Sequence, residues 1–295
     1  MYRLNLRMLR SRFKAEIATH AQPLNVVIIG GTRGFGNSLV RQFYKDGHTV
    51  FFTSREAHSI NETVLNTRQS TKLCNRIVGF PNDVSTMNGI KELRTAVNYY
   101  MPNGVDVWIN NAAISDNYTD FCNLTPERIN QIITTNVCGS IISTHLALDV
   151  FHTHNEQMGH VFNVAGAGSD GLPTPQFSIY GCTKAAVYQF VKSIRKEHKE
   201  NKRHNTYTPQ VGLHIINPGM MPTDLLIENA SPTQLQIFNI LCEHPDVVAA
   251  YVSDEIHKIV KNNKQRANIE YMTVQRVLAH FLTFHKRKDR FWKTD

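Results

Sequence analysis

The sequence has few cysteines and no long apolar run, and each shortage excludes a class of protein. Its five cysteines show no paired spacing, which argues against a disulfide framework and favours a reduced, intracellular protein. The longest aliphatic runs, such as Val26 to Ile29, are far too short to span a bilayer. With 41% hydrophobic and 19% charged residues, the 295-residue chain fits a globular protein with one large core.

Excess charge is scarce except at the two ends of the chain. Five basic residues stand against one acid up to Leu24, and five stand against two from Phe284 onward, so the ends hold +4 and +3 of the net +8. A nearly neutral body argues against a basic groove for nucleic acid. Residues 1–23 resemble an organelle transit segment, but they equally fit a membrane-surface helix or a basic leader without a role.

A glycine-rich turn follows the first predicted strand. Leu24 to Ile29 is a short β-branched run typical of a buried parallel strand, and a helix through Leu39 and Phe43 is predicted after the turn. Glycines there allow a phosphate close to the backbone, at the helix N-terminus. The spacing is G-x3-G-x-G, so the strand and helix around it carry the prediction of a dinucleotide site rather than a plain turn. The residues concerned are Gly30, Thr32, Arg33, Gly34, Phe35 and Gly36.

No acidic residue ends the second predicted strand, His48 to Thr53. Folds that bind NAD usually place an acid there for the ribose hydroxyls. This chain instead has Ser54 and Arg55, and Arg33 lies in the glycine turn. Two arginines near the adenosine ribose favour a 2′-phosphate and hence NADP(H). The alternative is that both are solvated surface arginines.

Further strands alternate with helices along the chain. They are predicted at residues 76–80, 105–109, 160–164 and 211–216. This order predicts an α/β fold with a doubly wound parallel sheet of Rossmann type, whose ligands bind beyond the carboxyl ends of the strands. We expect a single domain at residues 24–250 and a helical C-terminal extension at 251–295 with a basic aromatic tail.

Tyr180 and Lys184 open another predicted helix, and a spacing of four places them on one face. An ammonium beside a phenol favours the phenolate and lowers its pKa, which suits a tyrosine to general acid–base catalysis. An ordinary amphipathic helix start explains the pair as well.

Asn136 lies within a predicted helix that runs to Ile141. Asparagine is a poor choice inside a helix, so Asn136 is either buried with partners or functional.

As a set, these motifs resemble the short-chain dehydrogenase/reductase family over about residues 24–225. The resemblance implies that Tyr180 is the general acid or base, that Lys184 lowers its pKa and binds the nicotinamide ribose, and that Asn136 holds a water in a proton relay. Besides the glycine turn, Ser54, Arg55, Tyr180 and Lys184, it implies cofactor contacts from Asp83, Val84, Asn111, Ala112, Ala113, Pro218, Gly219 and Thr223.

One position departs from that family's pattern. The family's serine that polarises the substrate carbonyl lies about thirteen residues before the tyrosine, where this chain has Ala167. Ser169 is the nearest serine. Three interpretations stay open: Ser169 acts through a shifted loop, polarisation comes from elsewhere, or the protein is a non-catalytic NADP(H)-binding scaffold.

A narrower resemblance is to the chlorophyll b reductase branch of the family. It covers Val161 to Ser169, Thr223 to Leu226, Phe238 to Glu243 and the ending Arg287 to Trp292. The resemblance implies NADPH-dependent reduction of the 7-formyl group of chlorophyll b, on the stromal side of plastid thylakoids. The alternatives are another hydrophobic aldehyde or ketone, and a mitochondrial or cytoplasmic location.

The same resemblance bears on partners. Homo-oligomers that form through helix packing are common in the family, although no residue of this sequence decides the state. The tail from Phe284 to Trp292 mixes cations with aromatic residues, which suits a membrane interface as well as a solvated terminus. Peripheral membrane contact through the basic ends is therefore one expectation.

Overall fold

The computed structural model describes residues 22–71, 75–154, 157–203 and 210–293, so nearly all of the predicted leader lies outside it. Within these ranges seven parallel strands form one sheet in the order β3-β2-β1-β4-β5-β6-β7. The strands are β1 (Asn25–Ile29), β2 (Thr49–Ser54), β3 (Ile77–Pro81), β4 (Val107–Asn110), β5 (Gly159–Val164), β6 (Val211–Asn217) and β7 (Arg266–Glu270). This confirms the predicted doubly wound sheet.

Helices cover both faces of the sheet. In chain order they are α1 (Gly34–Lys45), α2 (Ala57–Gln69), α3 (Met87–Tyr100), α4 (Pro126–Ile133), α5 (Gly139–His154), α6 (Ser178–Arg203), α7 (Asp224–Ile227), α8 (Pro232–Leu241), α9 (Pro245–Lys261), α10 (Val274–Leu282) and α11 (Phe284–Arg287). One core joins the sheet to α1 and α9, and a second joins its other face to α3, α5 and α6. None of the described helices has both the length and the apolarity needed to cross a bilayer.

The buried elements follow directly from their sequences. Val26 to Ile29 in β1 are essentially inaccessible, because the helical layers cover both sides of a central parallel strand. Helix α1 turns a stripe of buried residues toward the sheet, including Leu39, Phe43 and Tyr44 at helical spacing. The central strands therefore bring the ends of β1, β4, β5 and β6 to one edge of the core.

The region after residue 250 differs from the helical extension that was predicted. Helix α9 crosses that position and packs against α1, and β7 then adds a seventh strand beside β6. Four of the five β7 residues are at least partly exposed, because the strand lies at the sheet edge. An edge strand with Arg266 and Glu270 at its ends lacks the apolar run that marks a buried strand, so the helical prediction was wrong there.

The helix predicted to run to Ile141 is interrupted. Between α4 and α5 the backbone widens into a π-helical turn at Thr134–Cys138, which contains Asn136. Single π turns within α-helices occur frequently at functional sites. Here the turn faces the catalytic helix candidate α6, against which it packs.

Candidate active site

A cavity of about 760 Å³ lies beyond the carboxyl ends of β1, β4, β5 and β6. Every residue predicted to contact a cofactor lines it. These residues are Gly30, Thr32, Arg33, Gly34, Phe35, Gly36, Ser54, Arg55, Asp83, Val84, Asn111, Ala112, Ala113, Tyr180, Lys184, Pro218, Gly219 and Thr223. The sequence analysis thus selected one contiguous surface, and the binding role of each residue stays a prediction.

The glycine turn is shaped by contacts too close for side chains. A Cβ at Gly36 would lie 2.0 Å from the Gly30 carbonyl oxygen and 2.5 Å from the Asn111 side-chain nitrogen. The Asn111 amide donates a 2.7 Å hydrogen bond to that same carbonyl. Gly34 has a φ of +51°, in the left-handed region that favours glycine. The turn therefore leaves backbone N–H groups uncovered at the start of α1.

Two arginines lie beside this turn. Arg33 and Arg55 are exposed and line the cavity, and neither forms an ion pair with another described residue. Thr32 donates a 2.8 Å hydrogen bond to Ser54, which ties the turn to the end of β2. This part of the cavity therefore offers positive charge and hydroxyl groups without a carboxylate at the end of β2.

Tyr180 and Lys184 lie at the other end of the cavity, at the start of α6, and are 7% and 6% exposed. The Lys184 ammonium donates a 2.9 Å hydrogen bond to the Val164 carbonyl and lies 5.5 Å from the centroid of the Tyr180 ring. A Cβ at Gly166 would be 2.4 Å from the Tyr180 hydroxyl, so the loop after β5 closes over the phenol.

Burial dominates the acid–base properties of this pair. It raises the pKa of the Tyr180 phenol above its ordinary value and lowers the pKa of the Lys184 ammonium to about 8. The sequence analysis expected the lysine to lower the tyrosine's pKa, and in this structure desolvation outweighs that effect. At neutral pH the phenol therefore keeps its proton, and Lys184 is still mostly an ammonium.

Asn136 is buried with partners, which is one of the two outcomes predicted. Its side chain accepts a 2.9 Å hydrogen bond from the Ile114 backbone N–H and donates to the Ile114 carbonyl at 2.8 Å and the Thr183 hydroxyl at 3.0 Å. It does not line the cavity but lies behind it, so it links the loop after β4 to α6. The predicted water relay stays a prediction.

Ser169 is not brought into the cavity. Its hydroxyl accepts a 3.1 Å hydrogen bond from the Gly166 N–H and lies 3.5 Å from the Lys184 carbonyl, as part of the loop that precedes α6. Ala167, not Ser169, lines the cavity wall. Here the Ser169 hydroxyl stabilises the turn before α6, and its role in polarising a carbonyl stays a prediction.

Asp116 is a site residue that the sequence analysis missed. Its two carboxylate oxygens accept hydrogen bonds from the backbone N–H groups of Ile179, at 2.8 Å, and Tyr180, at 2.9 Å. These N–H groups belong to the first turn of α6, where no intrahelical acceptor is available. Asp116 is 2% exposed, and its two hydrogen bonds fix the backbone position of Tyr180. Its partners are more than 60 residues away, and no sequence spacing signals such a pair.

A lid lies over part of the cavity. It consists of α7, α8, α10, α11 and the chain to residue 293; Leu225, Gln234 and Phe238 of this lid line the cavity. Helices α8, α10 and α11 pack against one another. Tyr118 stands opposite with its ring edge-on to Phe177, at a centroid distance of 4.5 Å. The lid residues that line the cavity are mixed in character, with Leu225, Leu226 and Phe238 apolar and Asp224, Glu228 and Gln234 polar or charged.

The C-terminal tail, which is the last part of the lid, is bound to the end of α8. Arg287 donates to the carbonyls of Ile240, at 2.6 Å, and Cys242, at 2.7 Å, where α8 ends. Arg290 pairs with Glu243 and donates to Cys242 at 3.2 Å. Arg287 and Arg290 therefore contact the folded protein. The alternative interpretation of the tail as a solvated terminus was wrong for these two residues.

Comparison with known proteins agrees with this geometry. The sequence pattern of the short chain dehydrogenase family matches residues 24–234. The chain belongs to the short-chain dehydrogenase family. A short chain dehydrogenase from Burkholderia cenocepacia J2315, solved in complex with NADP, superimposes with a TM-score of 0.66 at 19% identity, over 84% of this chain and 96% of that one. The likeness to that structure confirms the fold.

Two other relatives of this chain are more similar to it in sequence than the Burkholderia protein is. A chloroplastic chlorophyll(ide) b reductase from Oryza sativa subsp. japonica is 32% identical over 291 residues, or 95% of this chain and 81% of the relative. A probable chlorophyll(ide) b reductase from Arabidopsis thaliana, also chloroplastic, is 35% identical over 286 residues, or 92% of this chain. This chain spans about half, 55%, of the Arabidopsis relative's length.

Proposed function

We propose that this protein is an NADPH-dependent reductase that transfers hydride to a carbonyl group, and that its substrate is the 7-formyl group of chlorophyll b. The observation that carries the proposal is the 32% identity to a chlorophyll(ide) b reductase over 95% of this chain. That similarity extends through the lid, which covers the end of the cavity where a substrate would lie. Another hydrophobic aldehyde or ketone is the alternative substrate.

The residues around the glycine turn fit NADP(H). Because Gly36 has no Cβ, the turn stays tight and its backbone N–H groups stay available for a pyrophosphate. We call this part of the turn the cofactor cradle. Arg33 and Arg55, without an ion-pair partner among the described residues, suit a 2′-phosphate. In this proposal Asp83 and Val84 border the adenine, Asn111 to Ala113 line the floor, and Pro218, Gly219 and Thr223 border the nicotinamide end.

Tyr180 is proposed as the proton donor. When bound, NADPH supplies the hydride that reduces the carbonyl carbon. Burial raises the pKa of the Tyr180 phenol, so the proton is present at neutral pH and is available to the carbonyl oxygen. Lys184, held by the Val164 carbonyl, places a positive charge beside the ring, which favours the phenolate that remains. Asn136 orients the loop behind them, and the polarising role of Ser169 stays a prediction.

Location and partners follow from the relatives and are proposed with the function. The names of the rice and Arabidopsis relatives place those proteins in chloroplasts, which supports a plastid location here. We extend this to the stromal side of the thylakoid, where a pigment substrate would be reached by peripheral contact. Homo-oligomerisation stays a prediction from the sequence.

The test is NADPH oxidation by the purified protein with detergent-dispersed chlorophyll b. We expect turnover in the wild type and a loss of about 10²–10⁴-fold in Tyr180→Phe, because the substituted ring has no proton to donate. NADPH binding, followed by fluorescence, is expected to weaken far less than turnover, because Tyr180 is one of many predicted cofactor contacts. Binding without turnover of chlorophyll b or of an aldehyde panel would identify a scaffold, and turnover of another aldehyde alone would reassign the substrate.

A further inference from the structure

Helix α10 has its apolar side turned outward. Its solvent-facing residues include Val274, Leu278, Phe281 and Leu282, which are 77%, 58%, 51% and 80% exposed. The other exposed residues of the helix are Gln275 and Ala279, so this side carries no charge. We call these four large residues the α10 apolar face. Most surface helices have the opposite arrangement, with charged residues outward.

The inward side of α10 prevents the helix from turning over. The Arg276 guanidinium lies 4.4 Å and 4.2 Å from the ring centroids of Tyr251 and Tyr271, between α9 and the end of β7. His280 is buried on the same side. Burying the α10 apolar face would expose these rings and release the cation. The face is therefore fixed outward by the fold itself.

A rim of cations follows directly in the chain. Phe284, which is 56% exposed, extends the apolar surface, and Lys286, Lys288 and Lys293 are exposed after it. Asp289 is the one acid in this stretch. The two arginines of the tail are already engaged by Glu243 and the end of α8. The lysines are thus the charges that this surface offers to an external partner.

The apolar face is on the same structural unit as the substrate end of the cavity. Helix α10 packs against α8, and α8 contributes Gln234 and Phe238 to the cavity wall. Ile237 of α8 is 47% exposed, beside the polar Thr233 and Gln236. Because α10 is part of the lid, a surface that held α10 would lie next to α8.

We propose that the α10 apolar face, with Phe284 and its lysine rim, docks this protein on an anionic lipid surface. Apolar side chains beside lysines match the boundary between acyl chains and negatively charged headgroups. A second copy fits less well, since the stretch from Phe284 to Lys293 offers one acid, Asp289, to neutralise the three lysines of a partner. The inference deepens the proposed function, because a membrane-borne pigment would then be reached next to the lid.

Vesicle co-sedimentation of the full chain tests the proposal. The probes are phosphatidylcholine vesicles with and without phosphatidylglycerol. We expect binding to the anionic vesicles, a more than tenfold weaker partition for Leu278→Asp, and a roughly tenfold weaker one for Lys286→Gln combined with Lys288→Gln. The matched control is Leu65→Asp, since Leu65 on α2 is 57% exposed, almost the same as Leu278, but lies outside the lid.

The outcomes separate docking from catalysis. Equal vesicle binding by the wild type and Leu278→Asp, or no binding by either, would overturn the proposal. A concentration-dependent dimer that Leu278→Asp abolishes, without vesicle binding, would assign the face to a second copy and would also overturn it. Turnover of detergent-dispersed chlorophyll b is expected to be equal in the wild type and Leu278→Asp, so failure of the proposed function would appear separately.

Discussion

The two ends of the cavity are built in different ways. At the glycine turn, the surface is set by backbone atoms that approach one another closely, as where Gly36 lies against the Gly30 carbonyl. At the lid, the surface is held by side chains that reach across long sequence distances, as where Arg287 binds the Ile240 carbonyl 47 residues away. The first kind of structure is encoded in adjacent residues, whereas the second depends on the packing of separate segments.

The difference indicates which end can adapt. Close backbone contacts have no spare volume, so the glycine turn is a fixed template for a ligand that does not vary. A lid held by a few hydrogen bonds and ion pairs can open at lower free-energy cost than the sheet can unfold. A large substrate would therefore enter at the lid end, while the turn keeps its shape.

One loop contacts both ends, since Asn111, directly after β4, donates a 2.7 Å hydrogen bond to the Gly30 carbonyl of the glycine turn. The residues after β4 carry Asp116, which holds the start of α6, and its neighbours bind the lid. The Ser115 hydroxyl donates a 3.3 Å hydrogen bond to the Leu225 carbonyl, and the Asn117 amide donates a 3.0 Å hydrogen bond to the Glu228 carboxylate. Hydrogen bonds thus link the lid, through this loop, to the helix that carries Tyr180.

The largest effect is expected at the glycine turn. Gly36→Ala would place a methyl group 2.0 Å from the Gly30 carbonyl oxygen and displace the Asn111 amide. We expect NADPH affinity to fall by more than 100-fold and stability by about 1–3 kcal/mol, because a close-packed contact must open. Fluorescence titration with NADPH and thermal unfolding measure the two quantities.

Gly171→Ala is the control for that change. Gly171 also lies in a loop near the active site and has a φ of +83°, but no atom would contact an added Cβ within 4 Å. It is expected to lose about 1 kcal/mol of stability from backbone strain while keeping its NADPH affinity. If Gly36→Ala bound NADPH as well as this control, the turn would not be the cofactor cradle.

A smaller and more selective effect is expected at the connecting loop. Asp116→Ala removes the acceptors for the Ile179 and Tyr180 N–H groups, which are then unsatisfied in a buried position. We expect kcat to fall about 10–100-fold because Tyr180 is displaced, while NADPH affinity stays within twofold. Asp116→Asn keeps one acceptor and is expected to recover part of kcat. Steady-state kinetics of the three proteins measure this split.

Asp170→Ala is the matched control for Asp116→Ala. Asp170 is an exposed acid in the loop before α6, and its carboxylate accepts a 3.0 Å hydrogen bond from the Leu172 N–H. It caps a local turn and does not touch α6, so its kcat should equal that of the wild type. Equal losses in both variants would mean that Asp116 contributes only to folding.

The glycine turn and the sheet were predictable because their signals are local. A buried parallel strand must be apolar throughout, so β1 and β6 were recognised within a residue or two of their bounds. Edge strand β7 was missed, since one exposed face and polar ends remove that signal. The π turn around Asn136 was also missed, because its sequence differs little from that of the helices on either side.

The lid and the positioning of Tyr180 were not predictable in the same way. In the sequence, Arg287 looks like one more cation of a basic tail. Nothing nearby indicates that it donates hydrogen bonds to the carbonyls at the end of α8. Asp116 likewise lies in the loop after β4, where nothing in the sequence distinguishes it from an ordinary turn residue. In both cases the partner is a backbone group of a distant segment. Every residue type carries such backbone groups, so no sequence spacing reveals which of them the side chain will bind.

The smallest effect is expected at the lid, and it would show how far the tail controls substrate binding. Arg287→Gln removes the donors to Ile240 and Cys242 at the end of α8, but Arg290 still neutralises Glu243. We expect the KM for chlorophyll b to rise about fivefold with kcat and NADPH affinity unchanged, because α8 loses about 1 kcal/mol of support for Phe238. The control is Arg94→Gln, which breaks the exposed 3.2 Å pair with Asp149 away from the cavity. A change in kcat rather than KM would mean that the lid acts on Tyr180 through the connecting loop, and that the lid and the start of α6 move as one unit.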